Sequence, residues 1–205
     1  MKDLLEITGD DIAQLDDAAL RELIGLLCAA DYQTGGLSTK GITWGGHQDA
    51  PDGGLDVAVR CEDDPPKASF IPKKITGFQV KKPKMSSSKI ISEMRPKGSL
   101  RDEIKNLIKE GGAYIIVSSG DSTTDTALKD RIAAMQKAVS KEDRNKNLTI
   151  DFLDQNRVAT WVRLHSSMIL WVRNKIGRNF QGWRSYDNWA NSPEGIKDEY
   201  LLDDR

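Results

Sequence analysis

The run from Ala113 to Ser119 constrains the fold more than any other segment of the chain. It is almost continuously apolar, whereas a strand with one face in water alternates between apolar and polar residues. Continuous apolar strands belong to sheets that are covered on both faces by helices. A second such run, Leu148–Leu153, follows after a helical pattern at Thr124–Ser140. These segments predict parallel strands at the centre of a helix-covered sheet.

Two earlier segments predict an antiparallel pair of strands. Residues 55–62 alternate, with Val57 and Val59 on one face and Asp56 and Arg60 on the other, and residues 75–81 form a second strand. Apolar spacing predicts helices at 10–30 (capped by Asp10 and Asp11), 101–109 and 156–176, a broken helix at 89–94, and a short strand at 42–44. The resulting fold class is α/β, bordering on α+β: a mixed sheet flanked by helices.

The charge distribution is strongly asymmetric although the formal net charge is only −1. Residues 1–64 carry 4 Lys/Arg against 14 Asp/Glu, residues 65–109 carry 12 against 3, and residues 155–184 carry 6 basic residues and no acidic ones. Two basic regions of this kind attract phosphates, although each is also compatible with an ordinary solvated face. The lack of a secretory pattern or an apolar membrane segment, together with only two cysteines (Cys28 and Cys61), predicts a cytoplasmic protein with reduced thiols.

The candidate chemistry lies where the two antiparallel strands meet. Gln79 and Lys81 share a strand face because side chains at i and i+2 point to the same side, and Asp56 begins the neighbouring strand. A carboxylate, an amide oxygen and an ammonium group would thus come together. Hard divalent cations such as Mg²⁺ bind oxygen ligands, and a basic group can orient or deprotonate the attacking water in phosphodiester hydrolysis.

The pattern Gly53-Gly54-x-Asp56, a hairpin, then Gln79-x-Lys81 resembles the core of PD-(D/E)xK nucleases, in the branch related to Mrr-type restriction endonucleases. The resemblance implies a restriction-endonuclease-like fold, with Asp56, Gln79 and the Val80 carbonyl binding Mg²⁺ (Mn²⁺ as a substitute). It also implies that Lys81 assists the water and that Glu22, on the first helix, supplies a further acidic group.

Further segments are similar to the N-terminal effector nuclease of bacterial antiviral STAND NTPases (Avs proteins). They are Glu93-Met94-x-Pro96-x-Gly98, the strand at 113–119 and a Trp-rich tail. This similarity implies covalently linked NTPase and sensor regions, activation by homo-oligomerisation as a dimer or tetramer, and low activity of the isolated chain. Residues 1–177 would form the nuclease domain, and residues 178–205 a C-terminal extension or linker.

Several residues carry competing interpretations. Asp52 is either a second metal ligand or a turn residue, His47 is either a phosphate contact or an ordinary loop residue, and His165 is interpreted as structural. Trp161 and Trp171 fit core or dimer packing better than base stacking. The basic residues expected to contact the backbone of double-stranded DNA are Lys73, Lys74, Lys82, Lys84, Lys89, Arg95 and Lys97.

Three functions remain in competition at this point. The first is a Mg²⁺-dependent DNA endonuclease acting as the effector of an antiviral defence protein. The second is a catalytically silent DNA-binding or oligomerisation module with the same fold. The third is a nucleotide-binding domain built around Ser118–Asp121, which the lack of a phosphate-loop lysine disfavours.

Overall fold

The computed structural model describes residues 6–45, 54–143 and 145–178. The helices of these ranges are α1 (Gly9–Ala13), α2 (Asp17–Thr34), α3 (Ser87–Met94), α4 (Asp102–Glu110), α5 (Asp125–Val139), α6 (Gln155–Arg163) and α7 (Ser166–Lys175). The strands are β1 (Ile42–Trp44), β2 (Val57–Arg60), β3 (Ile75–Lys81), β4 (Ala113–Ser118) and β5 (Thr149–Asp154). Short 3₁₀ turns lie at Pro96–Gly98 and Asn145–Asn147.

The five strands form one mixed sheet in the order β1-β2-β3-β4-β5. β2 pairs antiparallel with both β1 and β3, whereas β4 pairs parallel with β3 and with β5. The change from antiparallel to parallel pairing occurs at β3, because the chain returns through α3 and α4 before it forms β4. The predicted α/β class, with a mixed sheet flanked by helices, is confirmed.

Helices cover both faces of the sheet, as the apolar run at β4 predicts. All six residues of β4 are buried. Ile115 and Val117 contribute to a core with α2, α6 and α7, and Tyr114 and Ile116 contribute to a second core with α3, α4 and α5. A strand alternates its side chains between the two faces, so these four residues of β4 enter the two cores in turn.

The N-terminal helical segment is interrupted, so the prediction of one helix over residues 10–30 is wrong. Asp16 lies in extended conformation, and its side chain accepts a hydrogen bond from the amide of Ala19 at 2.7 Å, which starts α2. The cap of α1 is Thr8 rather than Asp10 or Asp11, and the Asp11 side chain accepts a hydrogen bond from the Thr8 amide at 2.9 Å. Apolar spacing continues across the interruption because both helices pack on the same core.

The long C-terminal helix predicted over 156–176 is also two helices. His165 separates α6 from α7 in extended conformation, and its Nε2 lies 2.7 Å from the Asp31 carboxylate. Asp31 is buried and also accepts hydrogen bonds from Trp161 Nε1 at 3.1 Å and from the Ser69 hydroxyl. A buried carboxylate needs donors, and the helix break supplies one of them. The structural interpretation of His165 and the core position of Trp161 are thus confirmed.

Cys28 and Cys61 are free thiols, and burial raises the pKa of Cys28 well above its ordinary value. Trp171 is half-buried with the Lys175 ammonium 4.9 Å from its ring centroid. Over the ranges described, no helix combines the length and apolar character needed to cross a membrane. The extension at 179–205, Asp52 and His47 lie outside the described residues.

Candidate functional site

Backbone pairing between β2 and β3 positions the candidate site. The amide of Asp56, directly before β2, donates to the Phe78 carbonyl at 3.0 Å, which fixes the register of Asp56 beside β3. Phe78 and Val80 enter the core beneath α2 and α6, so Gln79 and Lys81 lie on the opposite face. The sequence prediction of a shared face for Gln79 and Lys81 therefore agrees with the sheet that forms.

The carboxylate of Asp56 is held by three groups. Its Oδ2 accepts hydrogen bonds from Gln79 Nε2 at 2.6 Å and from the Val80 amide at 2.7 Å. Its Oδ1 lies 3.0 Å from Arg21 Nε on α2, an ion pair that lacks the alignment of a hydrogen bond. The Asp56 side chain is only 12% exposed, so these contacts replace most of its hydration.

Apolar packing positions the backbone next to Asp56. Gly77 lies on β3 two residues before Gln79, and a Cβ there would come within 2.7 Å of Leu55 and 3.0 Å of Leu107. The Leu55 side chain therefore occupies the space that a larger residue at position 77 would fill. Because Leu55 directly precedes Asp56, this contact helps to fix where the carboxylate emerges.

The amide oxygen of Gln79 has no hydrogen-bond partner within the described structure. Gln79 is 4% exposed, and its Oε1 is buried. An unpaired buried amide oxygen costs free energy unless a ligand or water completes it. The Val80 amide points towards Asp56, and a strand residue directs its amide and carbonyl to the same neighbouring strand, so the Val80 carbonyl faces the same edge.

Lys81 belongs to a second cluster of charges at the same end of β3. Its Nζ lies 3.2 Å from Glu93 Oε1 on α3, and the same oxygen accepts a hydrogen bond from Arg101 at 2.7 Å. The Arg101 guanidinium also approaches Gly54, where a Cβ would lie 3.5 Å from its NH1. Arg101 therefore bridges Glu93 and the segment that leads into Asp56.

The donor set fits a hard divalent cation, with one condition. The Asp56 carboxylate, Gln79 Oε1 and the Val80 carbonyl are all oxygen ligands of the kind Mg²⁺ binds. Within the described ranges, His, Cys, Asp and Glu side chains form no group of three or more that could hold a metal. A metal would therefore rest on one carboxylate supported by neutral oxygens, and Arg21 would have to leave Asp56 Oδ1.

Glu22 contacts a different part of the molecule from the one that the family resemblance implies. Its carboxylate forms an ion pair with Lys175 of α7 at 3.0 Å and is 43% exposed. The residue of α2 that reaches Asp56 is the preceding one, Arg21. Adjacent helical residues point about 100° apart, so the two side chains leave the helix in different directions. The contact from the first helix is cationic rather than acidic.

The predicted DNA contacts divide into two groups. Lys84, Lys89 and Lys97 are exposed, and Lys82 is partly exposed directly after β3, at the Lys81 end of the sheet. Lys73 and Lys74 precede β3, roughly 20 Å away along the strand.

Four of the predicted DNA contacts donate hydrogen bonds to backbone carbonyls within the fold. Lys73 donates to the Gly111 carbonyl at 2.6 Å, and Lys74 donates to the Glu62 carbonyl at 3.0 Å. Arg95 joins the end of α3 to α5, donating to the Ala138 carbonyl at 2.8 Å. Lys89 donates to the Lys84 carbonyl at 3.3 Å, but both lysines are exposed at the Lys81 end of the sheet. Lys82, Lys84, Lys89 and Lys97 are therefore the members of the predicted set best placed to meet a phosphate backbone.

Tyr114 is a further buried polar group near the site. Its hydroxyl has no hydrogen-bond partner among the described atoms, and its neighbour across the β3–β4 pair is Gly77. Burial, followed by the charge of Glu93, raises the pKa of the phenol, and Arg101 opposes that rise. Tyr114 is thus neutral at ordinary pH and lies within electrostatic reach of both halves of the site.

The turn after β4 is occupied by protein groups. Ser118 donates to Asp121 at 3.0 Å, and the Asp121 carboxylate also accepts from the Met85 amide at 2.7 Å and pairs with Arg131 at 3.2 Å. A buried carboxylate at the centre of this turn repels phosphate. The geometry is that of a strand-to-helix connection and disfavours the nucleotide-binding hypothesis.

Three residues of the site were not predicted from the sequence: Arg21, Glu93 and Arg101. Only Glu93 carried a signal, since it belongs to the Glu-Met-x-Pro-x-Gly segment. Comparison of the chain with protein-family models gives no match, and comparisons with curated proteins and with solved structures give no significant match. The chemistry of this site and the sequence resemblance are therefore the two observations that point to a function.

Proposed function

We propose that the chain is a Mg²⁺-dependent endonuclease that hydrolyses phosphodiester bonds in double-stranded DNA. The observation that carries the proposal is the convergence of Asp56, Gln79 and Lys81 at one end of the β2–β3 pair, with a buried, unpaired amide oxygen on Gln79. Oxygen donors beside an ammonium group are what metal-assisted phosphodiester hydrolysis requires.

Each residue has a defined task in this proposal. Asp56, Gln79 Oε1 and the Val80 carbonyl would hold the metal, which when bound polarises a phosphate oxygen and lowers the pKa of a coordinated water. The Lys81 side chain donates to the attacking water or to the phosphate and opposes the negative charge that develops there. Arg21, which would have to leave Asp56 Oδ1 for a metal to bind there, would then be free to meet a phosphate oxygen.

The charge balance of the site supports an anionic substrate. Three cationic side chains (Arg21, Lys81 and Arg101) face two carboxylates (Asp56 and Glu93). Exposed lysines continue this positive character after β3 and along α3. Each lysine that neutralises a phosphate releases counterions, so DNA binding should weaken as salt is added.

The sequence resemblance supports a place for this nuclease as the effector of an antiviral defence protein. In that setting linked NTPase and sensor regions bring copies of the nuclease together, and homo-oligomerisation is the trigger. The ion pair between Arg21 and Asp56 gives a physical reason for low basal activity, because a metal must displace a guanidinium before it binds.

One observation favours the silent DNA-binding or oligomerisation module as a second candidate. Both carboxylates of the site are already neutralised by cationic side chains, so the fold does not need a metal to balance them. A silent module would retain DNA without forming products in Mg²⁺. The two candidates therefore differ in a single measurable outcome.

The test is cleavage of supercoiled plasmid DNA in Mg²⁺, Mn²⁺ or chelator by the wild type and by Asp56→Asn and Lys81→Ala. Loss of a metal ligand removes several kcal/mol of transition-state stabilisation, so we expect Asp56→Asn to slow cleavage by about a hundredfold or more. Asp102→Asn is the matched control, because its carboxylate makes an exposed ion pair with Lys105. Cleavage by both site variants at the wild-type rate would refute the assignment.

A further inference from the structure

The Glu93 carboxylate is shared unequally by two cations. Arg101 NH2 lies 2.7 Å from Glu93 Oε1 and Lys81 Nζ lies 3.2 Å from the same atom. The Glu93 side chain is 18% exposed and the two cationic side chains are each 29% exposed. Arg101 is therefore the closer partner of Glu93 Oε1, and Lys81 is held at the longer distance.

Arg101 also fixes the backbone at the end of α3. Its Nε donates to the Glu93 carbonyl at 2.7 Å, and its own amide donates to the Met94 carbonyl at 3.0 Å. The turn between these residues closes through Lys97 and Gly98, both with positive φ (54° and 83°). Glu93 is thus held by its side chain and its carbonyl, which leaves its carboxylate little freedom to move.

Lys81 needs such an anchor if it is to act on a substrate. A lysine side chain has four rotatable bonds and carries about 2 kcal/mol of rotamer entropy. Lys81 stands at the last position of β3, where nothing else among the described contacts orients its ammonium group. An ion pair to a fixed carboxylate restricts the ammonium to one region of space.

We propose that Glu93, held by Arg101, is the positioning residue for Lys81. This inference rests on the proposed nuclease function and deepens it. Glu93 contacts neither metal nor substrate; it keeps the Lys81 ammonium at the end of β3, next to the Asp56–Gln79 pair. In this proposal the Glu-Met-x-Pro-x-Gly segment and Arg101 form a turn that places Glu93 beside Lys81.

The test compares Glu93→Gln with Glu142→Gln. Glu142 is a matched control because it pairs with Arg95, in the same turn, at the same 3.2 Å, and its side chain is 25% exposed. Loss of a residue that orients a catalytic group typically costs 10- to 100-fold, so we expect kcat to fall by about that factor in Glu93→Gln. KM for DNA and the Mg²⁺ dependence should stay within about twofold, because binding groups are untouched.

A second measurement follows the Lys81 side chain without any cleavage. Brief acetylation followed by peptide mass spectrometry reports how often each lysine amine is released to react. In Glu93→Gln the acetylation of Lys81 should rise about two- to fivefold, the factor expected for loss of a partly exposed ion pair. Acetylation of Lys84 serves as the internal standard and should not change.

Unchanged kcat and unchanged Lys81 acetylation in Glu93→Gln, beside normal wild-type cleavage, would overturn the positioning role and leave the nuclease proposal intact. An equal loss of kcat in Glu142→Gln would also overturn it, since the effect would then belong to the stability of the turn. Absence of Mg²⁺-dependent products from the wild type would instead overturn the nuclease proposal, and the role of Glu93 would fall with it.

Discussion

Replacing Gln79 by Glu distinguishes between two interpretations of the Asp56–Gln79 pair, a cation site and an ordinary hydrogen-bonded pair. In the wild type Gln79 Nε2 donates to Asp56 Oδ2 at 2.6 Å. The introduced carboxyl removes that donor and brings a second negative charge against Asp56. The variant should therefore be less stable without a metal and should bind a divalent cation more tightly with one.

The magnitude follows from the geometry. A hydrogen bond to a charged group contributes about 1.5–3 kcal/mol, and two like charges 4 Å apart repel by about 4 kcal/mol at an effective dielectric of 20. Arg21, 3.0 Å from Asp56, offsets part of this repulsion. We therefore expect the free energy of unfolding in chelator at pH 8 to fall by roughly 3–5 kcal/mol, or about 6–20 °C in melting temperature.

The loss should depend on pH with a definite sign. The neighbouring Asp56 disfavours ionisation of the introduced carboxyl in the folded state, so the folded protein binds a proton more tightly than the unfolded chain. The destabilisation is therefore largest at pH 8 and decreases as the pH falls. Each pH unit returns at most about 1.4 kcal/mol, so most of the loss is recovered by pH 5.

Urea unfolding in chelator and in Mg²⁺, for wild type, Gln79→Glu and Gln136→Glu, provides the assay. Gln136 is exposed on α5, so its substitution adds the same charge away from the site. Mg²⁺ at a hundred times its Kd for Gln79→Glu should return about 2.7 kcal/mol to that variant, whereas Gln136→Glu, in which the site is unchanged, should gain only as much as the wild type. A Gln79→Glu variant as stable as wild type in chelator and unaffected by Mg²⁺ would refute the cation site.

Two further outcomes test other parts of the structure. Tyr114→Phe should keep or raise the free energy of unfolding at pH 7, by up to about 1–3 kcal/mol, because the Tyr114 hydroxyl is buried without a partner. Burial raises the pKa of Tyr114 in the folded protein above its value in the unfolded chain, which is about 10. The stability that this shift contributes is complete below about pH 10 and is lost as the pH rises further. Tyr114→Phe should therefore lose less stability than the wild type between pH 10 and pH 11. Urea unfolding measures both, and a clear loss at pH 7 would contradict this reading of the hydroxyl. Lys84→Ala should weaken DNA binding in chelator and lower the log–log salt slope by about 0.9, whereas Lys74→Ala, at the far end of β3, should leave the slope unchanged. Fluorescence anisotropy between 50 and 200 mM salt measures the slopes, and the reverse order of the two variants would contradict the placement of the DNA.

Local patterns predicted the sheet well. The bounds of β3 follow from the alternation of Phe78 and Val80 with Gln79 and Lys81, a signal that a few neighbouring residues contain. The continuous apolar character of β4 likewise predicted burial on both faces. Such features depend on the chain nearby, so they can be inferred before any tertiary contact is known.

The helix interruptions could not be predicted in the same way. The break between α6 and α7 places His165 against Asp31, which is 134 residues earlier in the chain. Apolar spacing runs on through the break because α6 and α7 pack on the same core. A period of 3.6 residues therefore does not distinguish one long helix from two short ones that share a buried face.

The charged residues that pair with the site also could not be predicted from the sequence. Arg21 and Glu22 are adjacent, and the rotation of α2 about its axis decides which of them meets Asp56. Glu93, near the end of α3, contacts Lys81 on β3 and also Arg101, which lies eight residues later in the chain.

The contact between Gly77 and Leu55 determines how far the polar groups can be transplanted. If Asp56, Gln79 and Lys81 were copied onto another antiparallel pair of strands, they would keep their spacing. The carboxylate would nevertheless be misplaced unless a leucine at the position of Leu55 packed against a glycine at the position of Gly77. Conversely, one methyl group added at residue 77 would displace Leu55 while leaving every charged side chain of the site in the sequence. Substitutions at positions 55 and 77 should thus be coupled in natural variation. A design that transfers only the polar residues would omit the two apolar residues that position them.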